Sequence, residues 1–157
     1  MLTHTQEEIT AIYDEYVDTV YRVCFTYLKG NRMDIEDAVQ STFIVLMRRG
    51  MNFESAAHQK AWLITVSSNL CKNMLKKSSR EDVAFETERH GRAEEKDETM
   101  EALMEMPGNE ALSIYLHYYE GYTAKEIGEM LHKTESTVWG YLYKGRSMLK
   151  TMLKEDI

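Results

Sequence analysis

A chain of 157 residues suits one ordinary domain or two small helical ones, and 43% hydrophobic against 29% charged residues excludes a disordered or fibrous protein. One proline and eight glycines leave little turn chemistry, which with 11 methionines favours helix. The net charge of -7 argues at first sight against nucleic acid, but Lys and Arg number 10 against 9 acids over residues 1–80, 3 against 8 over 81–99 and 6 against 9 over 100–157. Two windows, residues 60–80 and 138–154, hold five and four basic residues and no acid. A phosphate backbone meets local potential, not the total.

Thr5 and Glu8 fit a capping box that opens a long first helix. Ile9, Ile12, Tyr13, Tyr16, Val17, Val20, Cys24, Tyr27 and Leu28 then recur at three- and four-residue spacing as one apolar face, ended by Gly30 and Asn31. Asp34 is expected to cap a second helix with Ile35, Ala38, Val39, Thr42, Leu46 and Met47 inside. Glu36, Asp37, Gln40, Ile44 and Arg48 fall on another side, and Gly50 stops the helix. A third helix is expected from about His58 to Lys77, burying Leu63, Val66, Leu70 and Met74.

Residues 81–99, EDVAFETERHGRAEEKDET, are acidic and aperiodic and read as a solvated linker. A second module starts near Met100, where Pro107, Gly108 and Asn109 mark a turn before a helix bearing Leu112, Tyr115, Leu116 and Tyr119, closed by Gly121. Thr123 and Glu126 form another capping box before a short helix with Ile127 and Leu131 inside. Thr134 can cap the last helix, whose core stripe is Val138, Leu142, Leu149 and Leu153, and Gly128 would let two helices cross closely. The expected fold is all-α: two small helical domains, residues 1–80 and 100–157, joined by a flexible acidic linker at 81–99.

Cys24 and Cys71 lie far apart in sequence without zinc or redox spacing, and the five histidines show no i, i+4 pair, so core cysteines and no metal or cofactor are expected. No nucleophile-base pair or glycine-rich phosphate loop points to an enzyme. No apolar run approaches the ~20 residues of a membrane span. The opening MLTHTQEEIT has neither a basic start nor an apolar stretch, so a cytoplasmic protein is expected.

The last two helices follow helix-turn-helix grammar, in which the second lies in the major groove with its outward side chains toward the bases. Ser136, Trp139, Gly140, Tyr143, Lys144, Ser147 and Lys150 project away from the Val138 stripe. A three-helix bundle with a solvated basic end fits the same pattern. On the third helix, Asn69, Lys72, Asn73, Lys76 and Arg80 share one strip with Trp62 at its margin. Basic groups beside an aromatic ring suit single-stranded DNA, although a solvated face with Trp62 in the core would look alike.

The segments IEDAVQSTF (35–43), AWLITVSSNLCKNMLKK (61–77) and TAKEIGEMLHKTESTVWGYLYKGRSML (123–149) together resemble conserved regions two and four of extracytoplasmic-function sigma factors. The combination of ED..Q, WL followed by N, and EI....L...TV, in this order and around an acidic linker, is more specific than any one part. The resemblance implies a protein that docks on core RNA polymerase, opens promoter DNA near the minus-ten element and reads the minus-thirty-five element, without covalent chemistry. Glu36, Asp37, Gln40 and Ile44 would then meet the polymerase clamp. Trp62, Asn69, Lys72, Asn73, Lys76, Lys77 and Arg80 would hold the melted strand. Thr134, Thr137, Gly140, Tyr143 and Lys144 would meet duplex DNA, the carried-over roles being strongest at Thr137 and Lys144; Ser136, Trp139 and Lys150 join them on helical geometry alone.

The match is imperfect. Asn73 and Lys76 replace the family's more usual Asp and Arg; Trp139, Gly140 and Tyr141 stand where a basic residue, Ser and Arg are more common; and His132 takes the place of a turn glycine. Sigma factors of this type often have an anti-sigma antagonist, but no residue here identifies one. Two other readings stay open: a helix-turn-helix regulator that never binds polymerase, and an acidic protein-interaction module.

Overall fold

The computed structural model describes residues 5–49, 52–81 and 98–154. Every regular element among them is helical, and the chain divides into two compact units, residues 1–89 and 90–157.

The first unit is a three-helix bundle: α1 (Gln6–Leu28), α2 (Arg32–Arg49) and α3 (Ala56–Glu81), each packed on the other two. The Thr5 hydroxyl accepts the Glu8 amide at 3.1 Å, and Glu7 and Glu8 face the positive end of the helix dipole. The apolar stripe buries Ile12, Tyr16, Val20, Cys24, Tyr27 and Leu28, but Tyr13 is exposed and edge-on to Phe43. Val23 and Phe25 are buried as well, because the last turns of α1 are enclosed on every side.

Lys29 rather than Gly30 makes the first break: it adopts a left-handed conformation (φ 55°) and returns its N–H to the Phe25 carbonyl at 3.0 Å. The cap of α2 is Asn31, not Asp34; its Oδ1 accepts the Asp34 amide at 3.2 Å, which puts Asp34 inside the first turn. Ile35, Ala38, Val39, Thr42 and Leu46 are buried as the periodicity requires, whereas Met47 is exposed and Phe43 takes the extra core position. In α3 the fully covered residues are Leu63, Ile64, Ser67, Ser68 and Cys71, while Val66, Leu70 and Met74 are half-buried. The shift arises because α1 and α2 share the covering of α3, so its buried face is rotated from the simple apolar stripe.

Cys24 and Cys71, distant in sequence, meet in this core as free thiols. The Cys71 thiol hydrogen-bonded to it, reinforced by burial, pushes the Cys24 thiol far above its ordinary value, so neither the thiolate nor its reactivity is favoured.

The second unit holds α4 (Glu98–Met104), α5 (Gly108–Ile114) continued by a π-helical turn (Tyr115–Tyr119), α6 (Ala124–Leu131) and α7 (Glu135–Lys154). Helix α3 reaches Glu81 and α4 begins at Glu98, so both ends of the expected linker are helical; its interior, like Gly50, lies outside the described residues. The core is Met106, Leu112, Leu116, Ile127, Val138 and Leu142, with α7 laid across α5 and α6. Leu149 is half-buried and Leu153 exposed, so the α7 stripe fades toward its end.

The Thr123 hydroxyl accepts the Glu126 amide at 3.1 Å while the Glu126 carboxylate accepts the Thr123 amide at 3.0 Å, completing the capping box. Gly121 (φ 82°) closes the preceding turn. The helix-turn-helix corner is His132, a left-handed C-cap at φ 57° where a side chain costs roughly 1–2 kcal/mol. Gly128 serves this corner rather than a helix crossing, since a Cβ there would sit 2.6 Å from the Lys133 carbonyl oxygen. The close crossing belongs to Gly145, where a Cβ would meet Ile114 Cγ1 of α5 at 2.6 Å.

Candidate nucleic-acid and protein-docking interfaces

Helix α2 buries the stripe from Ile35 to Leu46 and thereby turns Glu36, Asp37, Gln40 and Ile44 outward. Ile44 is 44% exposed, and two methionines extend its face: Met33 at 82% and Met47 at 45%. Met33, Asp37, Gln40, Ile44 and Met47 are spaced by four, three, four and three residues, so all five lie within one sector of the helix. Sequence reasoning missed Met33 and placed Met47 in the core, although this spacing was its signal. Flexible apolar side chains beside a carboxylate and an amide are a protein-docking chemistry. Glu36 and Asp37 make this side of α2 acidic, and burial, followed by the Asp37 charge, raises the neighbouring Asp34 carboxyl above its ordinary value. Glu36 is held by Arg32 at 3.0 Å across an exposed i, i+4 pair, an interaction of little energy.

On α3, Asn73, Lys76 and Lys77 are exposed and Asn69 and Lys72 half-buried. The Lys72 ammonium lies 5.8 Å from the centroid of the Tyr27 ring, which steadies its stem against α1. Trp62 is half-buried, not a core residue; its ring meets Phe53 edge-on at 5.7 Å, and Phe53 in turn meets His58 at 5.4 Å. Trp62 and the basic strip therefore share α3, with Phe53 of the preceding segment packed against the ring. The side chain of Arg80 lies outside the described residues.

On α7, Ser136, Trp139, Gly140, Tyr143, Lys144, Ser147 and Lys150 are all exposed. Thr134 caps the helix by accepting the Thr137 amide at 3.1 Å, and the two hydroxyls lie 2.8 Å apart, so both are committed to the cap. Trp139 leans on His117 of the π turn, centroids 6.1 Å apart. His117 Nδ1 is 2.7 Å from the Tyr122 carbonyl oxygen, a contact that requires the proton on Nδ1 and fixes the ring. Tyr141 is half-buried and turned back toward α5, its hydroxyl accepting from Asn109 Nδ2 at 3.4 Å.

The π turn has its own consequence. Its extra residue buries Tyr115 and Leu116 while turning Tyr118 and Tyr119 outward, contrary to the core position expected for Tyr119. The Tyr118 hydroxyl accepts from Arg146 at 3.2 Å. Arg146, exposed on α7 within the acid-free window, is a basic group that projection from the stripe left out. Among the described residues no cluster of ligating side chains could hold a metal, and no helix is long and apolar enough to cross a membrane.

Two candidate interfaces on the first unit and one on the second are thus formed by exposed and half-buried residues of α2, α3 and α7. Residues 12–81 match the family described as Sigma-70 region 2, and residues 96–149 match Sigma-70, region 4. The chain is 28% identical over 153 residues to the ECF RNA polymerase sigma factor SigE of Mycolicibacterium smegmatis, covering 88% of this chain and 59% of that protein. It is also 28% identical over 160 residues to BldN of Streptomyces coelicolor, covering 92% and 60%. It therefore spans about three fifths of the length of these two relatives. The fold is similar to that of the sigma factor RpoE from Bartonella quintana, solved in complex with the anti-sigma factor NepR: TM-score 0.72, 20% identity, 92% of this chain and 96% of that one. With region two and region four matched in order on two separate helical units, the chain belongs to the extracytoplasmic-function group of sigma factors.

Proposed function

We propose that this protein is a non-enzymatic initiation factor that binds core RNA polymerase and directs it to particular promoters. The observation that carries the reading is the pairing, on one small bundle, of two surface faces of opposite chemistry: acidic and methionine-bearing on α2, basic on α3 with no acid over residues 60–80. A DNA-only regulator has no use for the first, and a protein-interaction module has no use for the second.

In this assignment residues 1–80 form region two, 81–99 the linker and 100–157 region four. Asp37, Gln40 and Ile44, flanked by Glu36, dock on the polymerase clamp. Asn69, Lys72, Asn73, Lys76, Lys77 and Arg80 hold the melted strand, with Trp62 offering a ring to an unpaired base. Promoter opening is favoured only to the extent that the strip binds unpaired bases better than paired ones, since a ligand shifts an equilibrium by its differential affinity. Ser136, Trp139, Gly140, Tyr143, Lys144 and Lys150 meet the minus-thirty-five duplex, while Thr134 and Thr137 hold the start of the recognition helix. The working place is the cytoplasm, where polymerase and promoter are. An anti-sigma partner belongs to the same proposal, because the structurally similar RpoE was solved with one.

The test is transcription in vitro from core polymerase and a template pool carrying a cognate promoter. Addition of the chain should produce specific transcripts, and D37A/Q40A should abolish them while leaving the helical content unchanged. Specific transcripts that survive D37A/Q40A would remove the docking face from the proposal. Duplex binding without any response of polymerase would favour the helix-turn-helix regulator.

A further inference from the structure

Apart from Gly108, the first residue of α5, three glycines lie in helix interiors of the second unit, and only two of the three have a reason within the protein. A Cβ on Gly128 would strike the Lys133 carbonyl oxygen and one on Gly145 would strike Ile114, both at 2.6 Å; around Gly140 nothing comes within 4 Å. Glycine is the poorest helix former after proline, so its place in the second turn of α7 weakens the helix without relieving any internal contact. A glycine also permits something outside the chain to approach the backbone closely.

Gly140 is at the centre of the outward face. Ser136 and Lys144 stand one turn to either side, Tyr143 and Trp139 form a wall on one flank, and Thr137 and Lys144 lie on the other. Tyr143 is 73% and Trp139 46% exposed, and His117 fixes the latter's edge. The recess therefore has a bare backbone floor, one aromatic wall and one basic wall. Guanine is read by Arg or Lys at O6 and N7 and adenine by Asn or Gln, but neither purine offers a methyl group to an aromatic wall. Helix α7 has no Asn or Gln, and its one arginine, Arg146, donates to Tyr118. Thymine presents a methyl group beside the O4 acceptor.

Resting on the assignment of α7 to the minus-thirty-five duplex, we infer that Gly140 is the point of closest approach between helix and DNA, and that its recess takes the C5-methyl of a thymine. The methyl lies against Tyr143 and Trp139, and the Lys144 ammonium reaches O4. A side chain at position 140 fills the space that the methyl occupies.

The test uses holoenzyme assembled from core polymerase and the full chain, wild type or Gly140→Ala. Each is used to select from promoter duplexes randomised over the minus-thirty-five element, and affinity is then measured on the selected duplex with single thymidines replaced by deoxyuridine, which lacks the methyl. Wild type should enrich at least one thymine and lose about fourfold in affinity when that thymine becomes uracil, as expected for one buried methyl. Gly140→Ala should melt no lower than wild type, bind the selected duplex at least as weakly as wild type binds the uracil form, and show no further loss with uracil. On a duplex with a scrambled element the two proteins should bind alike. Equal affinity of both proteins for the thymine duplex would overturn the inference, as would a loss in the variant with no uracil effect in wild type. A wild-type selection that enriches nothing in this element would instead bring down the assignment of α7 itself.

Discussion

Residues 5–49 and 52–81 fold as three long helices that cover one another, so the side chains proposed for docking and strand binding lie exposed or half-buried at the surface of the bundle. Residues 98–154 are assembled from shorter pieces set by local devices: a complete capping box at Thr123, a left-handed His132, a π turn and glycines that let backbones approach. In the first unit function is separable from folding, because Asp37, Gln40, Asn73 and Lys76 are exposed and α2 and α3 would form without them. In the second the two are interleaved, since Thr134 and Thr137 form the cap of α7 and also stand at the start of the face proposed to meet DNA.

The largest expected effect tests that separability. D37A/Q40A should weaken core polymerase binding by about 30-fold or more for each side chain that acts as a hot spot, ~2 kcal/mol, measured by titration of labelled protein, with the melting temperature unmoved. A fall in melting temperature of comparable energy would show that the α2 face is structural.

On α3, alanine at Lys72, Lys76 and Lys77 should weaken binding to single-stranded DNA and flatten the dependence of log affinity on log salt by about 0.7 for each phosphate no longer neutralised. Unchanged slopes in titrations at several salt concentrations would place the phosphate-binding groups elsewhere.

For the second unit, Gly128→Ala should cost about 1–3 kcal/mol in urea unfolding, because the Lys133 carbonyl is backbone and moves only with the turn. Its effect on promoter binding should follow that loss of folded protein. His132→Gly should act in the opposite direction, raising stability by about 1 kcal/mol through relief of the positive φ. No gain would mean that the imidazole makes a compensating interaction.

The smallest effect concerns pH. The Asp34 carboxyl is raised above its ordinary value in the folded protein, so its charge costs stability at neutral pH, and that cost fades as pH falls through the raised folded value. Asp34→Asn should therefore be slightly more stable than wild type at pH 7, with the difference closing in acid. A difference that widens on acidification would reverse the sign.

The same contrast explains what could be read from the residues alone. Helix order and the exposure of Asp37, Gln40, Lys76, Trp139 and Tyr143 followed from periodicity, because an amphipathic helix has only one face to hide, and the Thr123 capping box and Thr134 cap followed from the hydroxyls placed ahead of those faces. Periodicity misplaced Met47, Met74 and Tyr119. Two neighbours share the covering of α3, a π turn changes the angular step at Tyr119, and Met47 is apolar but lies on an open side. The Cys24–Cys71 contact and the separate reasons for Gly128 and Gly145 depend on which helices meet and at what angle. No single-helix pattern encodes that.

The most direct measurement compares affinities of the assembled holoenzyme for two versions of one promoter, fully paired and with a pre-opened minus-ten bubble, each with and without D37A/Q40A in the chain. Tighter binding to the bubble, lost when the chain cannot join core polymerase, is the result predicted. Equal affinity for paired and open DNA, or a bubble preference that core polymerase shows without the chain, would contradict the account.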